Sequence, residues 1–399
     1  MTREDVFKQC TQQISKTNCL LLELPTGYGK SKLSIDLCNY LLSKPLCNHR
    51  QVVNILLLVA KRVHKQTWQE EIGKWGGINA NITMECYESL HKHTGNYYDI
   101  IIADEVHHLG SELRLSLMRH MQFGYFIGLS ATIPNKLKQL FKYRYHSEIV
   151  TCDIVEAIED DILPEPTILL FPLLLDNRNP TETWEINAKQ KGPVMYGNIR
   201  DIWKYKRQKA HAILSCTQKQ KLIEYDKLIE WEKNKYMQTR HEGLKQSWLF
   251  HAGKRLEYLA DIKLPIIQDI VRRLSHYRSI TFCKTIPQAE AVCKNCIHSK
   301  NVDSDEIYKA FNAKKINHIS AVNILNENAN LVDCKYAVFT NLSSSEISVP
   351  QRIGRSLRHK SPVIIVPYYQ GTREEELAKN MVEGFNRDYI KVIHSINEI

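Results

Sequence analysis

The 399-residue chain has no apolar run near the ~20 residues that a bilayer-spanning helix needs, so a membrane-embedded protein is not expected. Its opening stretch, Met1 to Gln13, is polar and mixed in charge and lacks the apolar segment of a secretory leader. Glycine (16) and proline (13) are sparse, and no low-complexity tract or internal repeat is visible, which argues against fibrous and disordered classes. The eleven cysteines are scattered and odd in number, which with no leader points to reduced thiols and a cytoplasmic setting. Cys293 and Cys296 form one isolated C-x-x-C that the pattern places on a helix. With no second pair to complete a tetrahedral metal site, they read as reduced thiols near a core.

Hydrophobic residues make up 43% of the chain and charged residues 25%, the balance of a soluble globular protein long enough for two or three domains. Lysine and arginine exceed aspartate and glutamate by 54 to 44, a net charge of +10 that would attract a polyanion through counterion release.

Short apolar runs alternate with amphipathic stretches: Leu20 to Leu24, Ile55 to Val59, Ile100 to Ala103 and Phe126 to Leu129, then Ser279 to Cys283, Ile316 to Val322, Tyr336 to Thr340 and Val363 to Val366. This alternation predicts an α/β fold of two tandem lobes with parallel sheets. Pro164 and Pro166 break the pattern and set a boundary between lobes 1–163 and 164–399. From about Asn187 to Gln246 strand signals are poor and Lys, Arg, Gln and Glu abundant, which predicts a mainly helical basic insertion in the second lobe. Trp203, Tyr205 and Trp231 within it are expected in the core, with stacking on bases as the alternative. The insertion reads equally as a solvated helix pair packed on that lobe or as an arm for nucleic acid.

Two motifs carry chemistry. Pro25-Thr26-Gly27-Tyr28-Gly29-Lys30-Ser31 follows an apolar strand and precedes a helical stretch. Glycines let backbone N–H groups wrap a phosphate at a helix N-terminus, Lys30 supplies charge to the outer phosphates, and Ser31 can ligate Mg²⁺. Leu24 stands where the strict phosphate-loop pattern has its first glycine. Some 75 residues on, Ile100 to Ala103 end in Asp104 and Glu105, where Asp104 can hold Mg²⁺ and Glu105 can accept a proton from an attacking water.

Asp104-Glu105-Val106-His107 resembles a variant of the DEAH box, and the chain resembles a superfamily 2 helicase built from two RecA-like lobes. Further motifs of that family follow in order. Leu57 to Arg62 with Gln66-Thr67-Trp68 resembles motif Ia, and Tyr87-Glu88-Ser89-Leu90 resembles the short segment ahead of the acidic box. Leu129-Ser130-Ala131-Thr132 resembles motif III, Ile280 to Lys284 motif IV, Ala321 to Asn328 motif V, and Gln351-Arg352-Ile353-Gly354-Arg355-Ser356-Leu357-Arg358 motif VI. Asn328 stands where the family usually has glycine.

The resemblance implies contacts to nucleic acid by Lys61, Arg62, Tyr87, Ser89, Lys284 and Asn323, and coupling of the two sites by Ser130 and Thr132. It also implies that Arg355 and Arg358 are arginine fingers and that Gln351 faces the nucleotide. The implied activity is ATP- and Mg²⁺-dependent movement on DNA by a monomer, unwinding or remodelling forks and branched junctions as in the UvsW, RecG and XPB group. A translocase without strand separation, the motor of a restriction system, and an RNA helicase remain open as alternatives. A non-enzymatic binder with a decayed motor is disfavoured because all the implied catalytic residues are present. Gln9, Gln12 and Gln13 precede the phosphate loop, in no context that assigns adenine recognition.

Overall fold

The computed structural model describes residues 2–44, 52–186, 193–322, 331–342 and 359–399. Helix α1 (Arg3–Thr17) starts at a reciprocal capping box: the Thr2 hydroxyl accepts from the Asp5 N–H, and the Asp5 carboxylate accepts from the Thr2 N–H. It buries Val6, Cys10 and Ile14, one stripe at helical spacing.

The first sheet contains β1 (Cys19–Glu23), β2 (Asn54–Val59), β3 (Asn81–Cys86), β4 (Tyr97–Asp104), β5 (Gln122–Ser130) and β6 (Glu148–Thr151), all parallel in the order β3-β2-β4-β5-β1-β6. Helices α2 (Lys30–Leu42), α3 (Arg62–Lys74), α4 (Glu112–Met118), α5 (Asn135–Tyr145) and α6 (Ile154–Glu159) connect and cover it. Alternate residues serve different faces. Leu20, Leu22, Ile55, Leu57, Ile100 and Ile102 join one apolar cluster, while Leu21, Leu56, Leu58, Ile101 and Ala103 join another. Burial on both faces explains why these strands read as continuous apolar runs.

After β7 (Thr167–Leu173) comes the insertion: β8 (Glu182–Ile186), β9 (Met195–Asn198), α7 (Ile202–Gln208), β10 (Ala212–Cys216), α8 (Gln218–Thr239) and α9 (Glu242–Ile262). The long helices match the helical expectation, but a three-stranded sheet, β8-β10-β9, precedes them where no strands were expected. These strands are short, β8 alternates half-buried with exposed residues and β9 is largely exposed, so the apolar run that betrays a buried strand is missing. Tyr205 is buried as anticipated. Trp203 and Trp231, expected in the core, are instead 77% and 53% exposed.

The second sheet resumes through α10 (Leu264–Arg273), β11 (Ser279–Phe282), α11 (Ile286–Val292), β12 (Cys296–Ile297), α12 (Ser304–Asn312), β13 (His318–Ala321), β14 (Tyr336–Phe339), β15 (Val363–Tyr369), α13 (Arg373–Val382) and β16 (Ile390–Val392). Its strands are parallel in the order β12-β13-β11-β14-β15-β7-β16. Cys293 and Cys296 do not share a helix: α11 ends at Val292, Cys293 is its extended cap, and Cys296 opens β12.

A buried ion pair ties the insertion's last helix to this sheet. Lys263, at the α9–α10 junction, donates to Glu374 Oε1 at 2.6 Å and to the Pro367 carbonyl at 3.4 Å, and Glu374 Oε2 accepts from the Tyr369 N–H. Both side chains are wholly enclosed, so each charge depends on the other for solvation. No helix among the described residues is long and apolar enough to cross a membrane.

Candidate nucleotide site

Three adjacent strands, β4, β5 and β1, end level, because Glu23 pairs with Ser130 and Asp104 pairs with Leu129. Neighbouring strands lie about 4.8 Å apart, so the loops after β1 and β4 emerge from one sheet edge roughly 10 Å from each other. That edge holds the phosphate loop, the acid pair and Ser130.

The loop is a tight turn in which the Tyr28 N–H donates to the Pro25 carbonyl at 3.2 Å. Gly27 has φ 97° and Gly29, the N-cap of α2, has φ 99°, a left-handed conformation that a side chain would strain. A Cβ on Gly29 would meet nothing within 4 Å, so the space beside the helix N-terminus is open. Leu24, at the position of the missing first glycine, is fully buried and its N–H donates to the Ser130 carbonyl. Pro25 and Thr26 are buried, and Ser31 is half-buried in the first turn of α2. Lys30 curls back so that its Nζ donates to the Leu24 carbonyl at 2.9 Å and the Pro25 carbonyl at 3.3 Å, across the mouth of the loop. Tyr28, expected to contact the nucleotide, has its N–H committed to the turn and its ring packed beneath it, where burial raises its hydroxyl pKa.

Asp104 and Glu105 are both buried. The Asp104 Oδ2 accepts from the Trp68 indole N–H at 2.9 Å, and its backbone carbonyl accepts from the Tyr87 hydroxyl at 2.7 Å. Glu105 sits at φ 53°, ψ 55°, a conformation that costs a non-glycine residue about 1 kcal/mol or more and turns the chain sharply off the strand. Its Oε2 lies 3.3 Å from Ser130 Oγ and 3.4 Å from His107 Nδ1, while Ser130 Oγ lies 2.9 Å from the same His107 nitrogen and 2.8 Å from the Thr132 carbonyl. The Thr132 N–H donates back to Ser130 Oγ. Ser130 has one proton to give, so its bond to Thr132 and its bond to Glu105 compete, which joins the acid to the segment after β5. Among the predicted residues this assembles Lys30, Asp104, Glu105, Ser130 and Thr132.

One assignment is corrected. Tyr87, expected to touch nucleic acid, is 2% exposed, with its ring against His108 and the Arg114 guanidinium over it. Burial and then the carboxylates of Asp104 and Glu105 hold its pKa well above the usual value, so it stays a hydroxyl donor that fixes the end of β4. Lys61 and Arg62 are exposed at the N-terminus of α3, directly after β2, whereas Ser89 is half-buried. Lys284 follows β11 half-buried, its N–H donating to the buried Gln288 amide. Asn323, Gln351, Arg355 and Arg358 lie outside the described residues.

Three supporting residues escaped the sequence reading. Trp68 and His107 lie inside quoted motifs, but nothing in their spacing shows that they face Asp104 and Glu105. Glu23 accepts from the Ile133 N–H at 2.7 Å and pairs with Lys138, which pins the segment beyond Thr132 to β1. Its only signal was a carboxylate at the end of an apolar strand.

Residues 3–135 match the family described as the res subunit of type III restriction enzymes, and residues 262–360 match the helicase conserved C-terminal domain. The chain is 21% identical to the DNA 3'-5' translocase XPB2 of Sulfurisphaera tokodaii, over 91% of this chain and 80% of that protein. Its fold resembles S. cerevisiae Dbp5 bound to RNA and ADP BeF3 (TM-score 0.60, 11% identity, covering 99% of this chain and 91% of that one). It also resembles a fragment of a putative HsdR subunit of a type I restriction enzyme from Vibrio vulnificus YJ016 (TM-score 0.57, 14% identity, covering 98% and 67%). With a glycine-lysine loop and an acid pair level on one sheet edge, a res-subunit match in the first half and a helicase C-terminal domain in the second, the chain is an ATP-hydrolysing enzyme of helicase type, similar to the superfamily 2 helicases.

Proposed function

We propose that this enzyme moves on DNA and remodels forks and branched junctions. The observation that carries the motor part is the level ending of β1, β5 and β4, which brings Lys30, Ser130 and the Asp104–Glu105 pair to one edge. In this reading Lys30 meets the outer phosphates of ATP, Ser31 and Asp104 hold Mg²⁺, and Glu105 takes the proton of the attacking water. The residues fit these ligands: the loop is open beside Gly29, and Lys30 is placed to exchange two backbone carbonyls for phosphate oxygens. Bound Mg²⁺ would neutralise charge on the phosphate oxygens. Arg355, Arg358 and Gln351 belong to the lobe assigned to 164–399, and this reading has them close on the nucleotide from across the cleft.

The choice of DNA rests on the kinship with a protein named as a DNA translocase. The choice of branched substrates rests on the insertion, where the exposed Arg200, Lys204, Lys206, Arg207 and Lys209 share one short stretch of chain with the exposed Trp203 and Tyr196. The Lys206 ammonium lies over the Trp203 ring at 5.4 Å. Cations that grip phosphates beside an aromatic face that can stack on an unpaired base suit the place where a duplex opens.

A second reading, translocation on duplex DNA without strand separation, is favoured by the match of 3–135 to the res subunit of type III restriction enzymes. ATPase stimulation by single-stranded DNA, forked DNA, four-way junctions and RNA tests the proposal, with Lys30→Ala and Glu105→Gln as inactive references. Forks should stimulate most, and Trp203→Ala should reduce that preference while sparing the basal rate. Triplex displacement without any fork unwinding would select the second reading, and stimulation by RNA alone would overturn both.

A further inference from the structure

At the edge of the second sheet, Glu290 on α11, Cys296 in β12 and His298 just beyond it each offer one ligand atom, all within 4.8 Å of one another. Cys296 and His298 are 7% and 4% exposed, while the Glu290 side chain reaches solvent and leaves a way in. The His298 imidazole makes no hydrogen bond through either ring nitrogen. Burying a polar ring with no hydrogen bond is costly, and its Nε2 has the Glu290 carboxylate at 3.4 Å, so the pair suits a metal ion held between them.

The spacing fits a tetrahedral ion. Zinc bonds to nitrogen and oxygen are about 2.0 Å, which puts neighbouring ligand atoms roughly 3.3 Å apart. His298 Nε2 and Glu290 Oε1 already stand 3.4 Å apart. The supports fit as well. The Asn301 amide faces Cys296 Sγ at 3.9 Å while donating to the Cys296 carbonyl at 2.6 Å, and Ser304 Oγ accepts from the His298 N–H at 3.3 Å. Cys293 is not part of the set: its Sγ accepts from the Asn295 N–H and faces the His318 carbonyl.

We propose that Glu290, Cys296 and His298 form a binding site for zinc or a similar divalent transition-metal ion, with a fourth position open to water. Coordination requires the Cys296 thiolate, so loading releases the thiol proton to solvent. The ion would clamp α11 to β12. The same helix carries Gln288, whose amide oxygen accepts from the Lys284 N–H and from Thr340 Oγ1 and whose Nε2 donates to the Ala260 carbonyl. A metal here therefore braces the turn that presents Lys284.

The test is a titration of the metal-stripped full chain with Co²⁺. One equivalent should produce a thiolate-to-cobalt charge-transfer band in the near ultraviolet, and Zn²⁺ but not Mg²⁺ should bleach it. Cobalt held by Ser31 and Asp104 gives no such band, so the nucleotide site does not interfere. Cys296→Ser should abolish the band, and Glu290→Gln, on an exposed side chain that leaves the apo fold intact, should weaken binding by at least about tenfold. Cys293→Ser should change nothing. No band, a band that survives Cys296→Ser, or a band removed by Cys293→Ser would each overturn the site.

Discussion

Replacing Trp68 with phenylalanine isolates one interaction at the acid pair. The indole N–H donates to Asp104 Oδ2 at 2.9 Å, with both side chains buried. A hydrogen bond to a charged acceptor contributes about 1.5–3 kcal/mol, and phenylalanine removes the donor while keeping most of the apolar contact. The smaller ring also leaves a void that costs on the order of 1 kcal/mol, so the single variant mixes two effects. A double-mutant cycle with Asp104→Ala, measured by urea unfolding, separates them. A coupling of about 2 kcal/mol is expected, roughly a 30-fold factor in the unfolding equilibrium. A carboxylate released from Trp68 rotates more freely, so Trp68→Phe should also raise the Mg²⁺ concentration for half-maximal ATPase several-fold. Coupling below about 0.5 kcal/mol together with an unaltered Mg²⁺ requirement would refute the claim that Trp68 orients Asp104.

Burial holds the His318 imidazole at a pKa of about 4, against 6.5 for an ordinary histidine, with Ser279 and Thr281 hydroxyls at its two nitrogens. The folded state keeps the ring neutral while the unfolded chain takes up a proton below 6.5, so this stability is fully present above 6.5 and fades as pH falls toward 4. The loss is on the order of 3 kcal/mol, and a His318→Asn variant should show a flatter dependence of its urea midpoint over that window. Lys263→Met strands the buried Glu374 charge and should cost about 3–5 kcal/mol in thermal or chemical unfolding, whereas the joint replacement by Lys263→Met and Glu374→Leu should recover most of it. The Gln9 side-chain oxygen is buried with no hydrogen-bond partner. If that amide reads adenine, Gln9→Ala should erode the preference for ATP over GTP by about tenfold, as seen in the ratio of kcat/KM values.

The sequence by itself determined the two parallel sheets, because strands buried on both faces must be apolar throughout, as Ile100 to Ala103 and Leu20 to Leu24 are. It also determined the phosphate loop and the acid pair, since Gly27, Gly29 and Lys30 beside a helix start, and carboxylates at a strand end, encode their chemistry within a few residues. The rest was decided between distant segments. Only the register of β1 on β5 and of β5 on β4 brings Ser130 level with Glu23 and beside Asp104 and Glu105, and only the packing of α3 carries Trp68 to Asp104. Tyr87 illustrates the limit: as a string it sits in a segment resembling one that meets nucleic acid in the helicase family, yet in the fold it is buried and fixes the end of β4. Exposure is likewise a tertiary property. Trp203 and Tyr205 are two residues apart, one in solvent and one in the core, because helical turn and the small sheet beneath, rather than residue type, set which ring is covered.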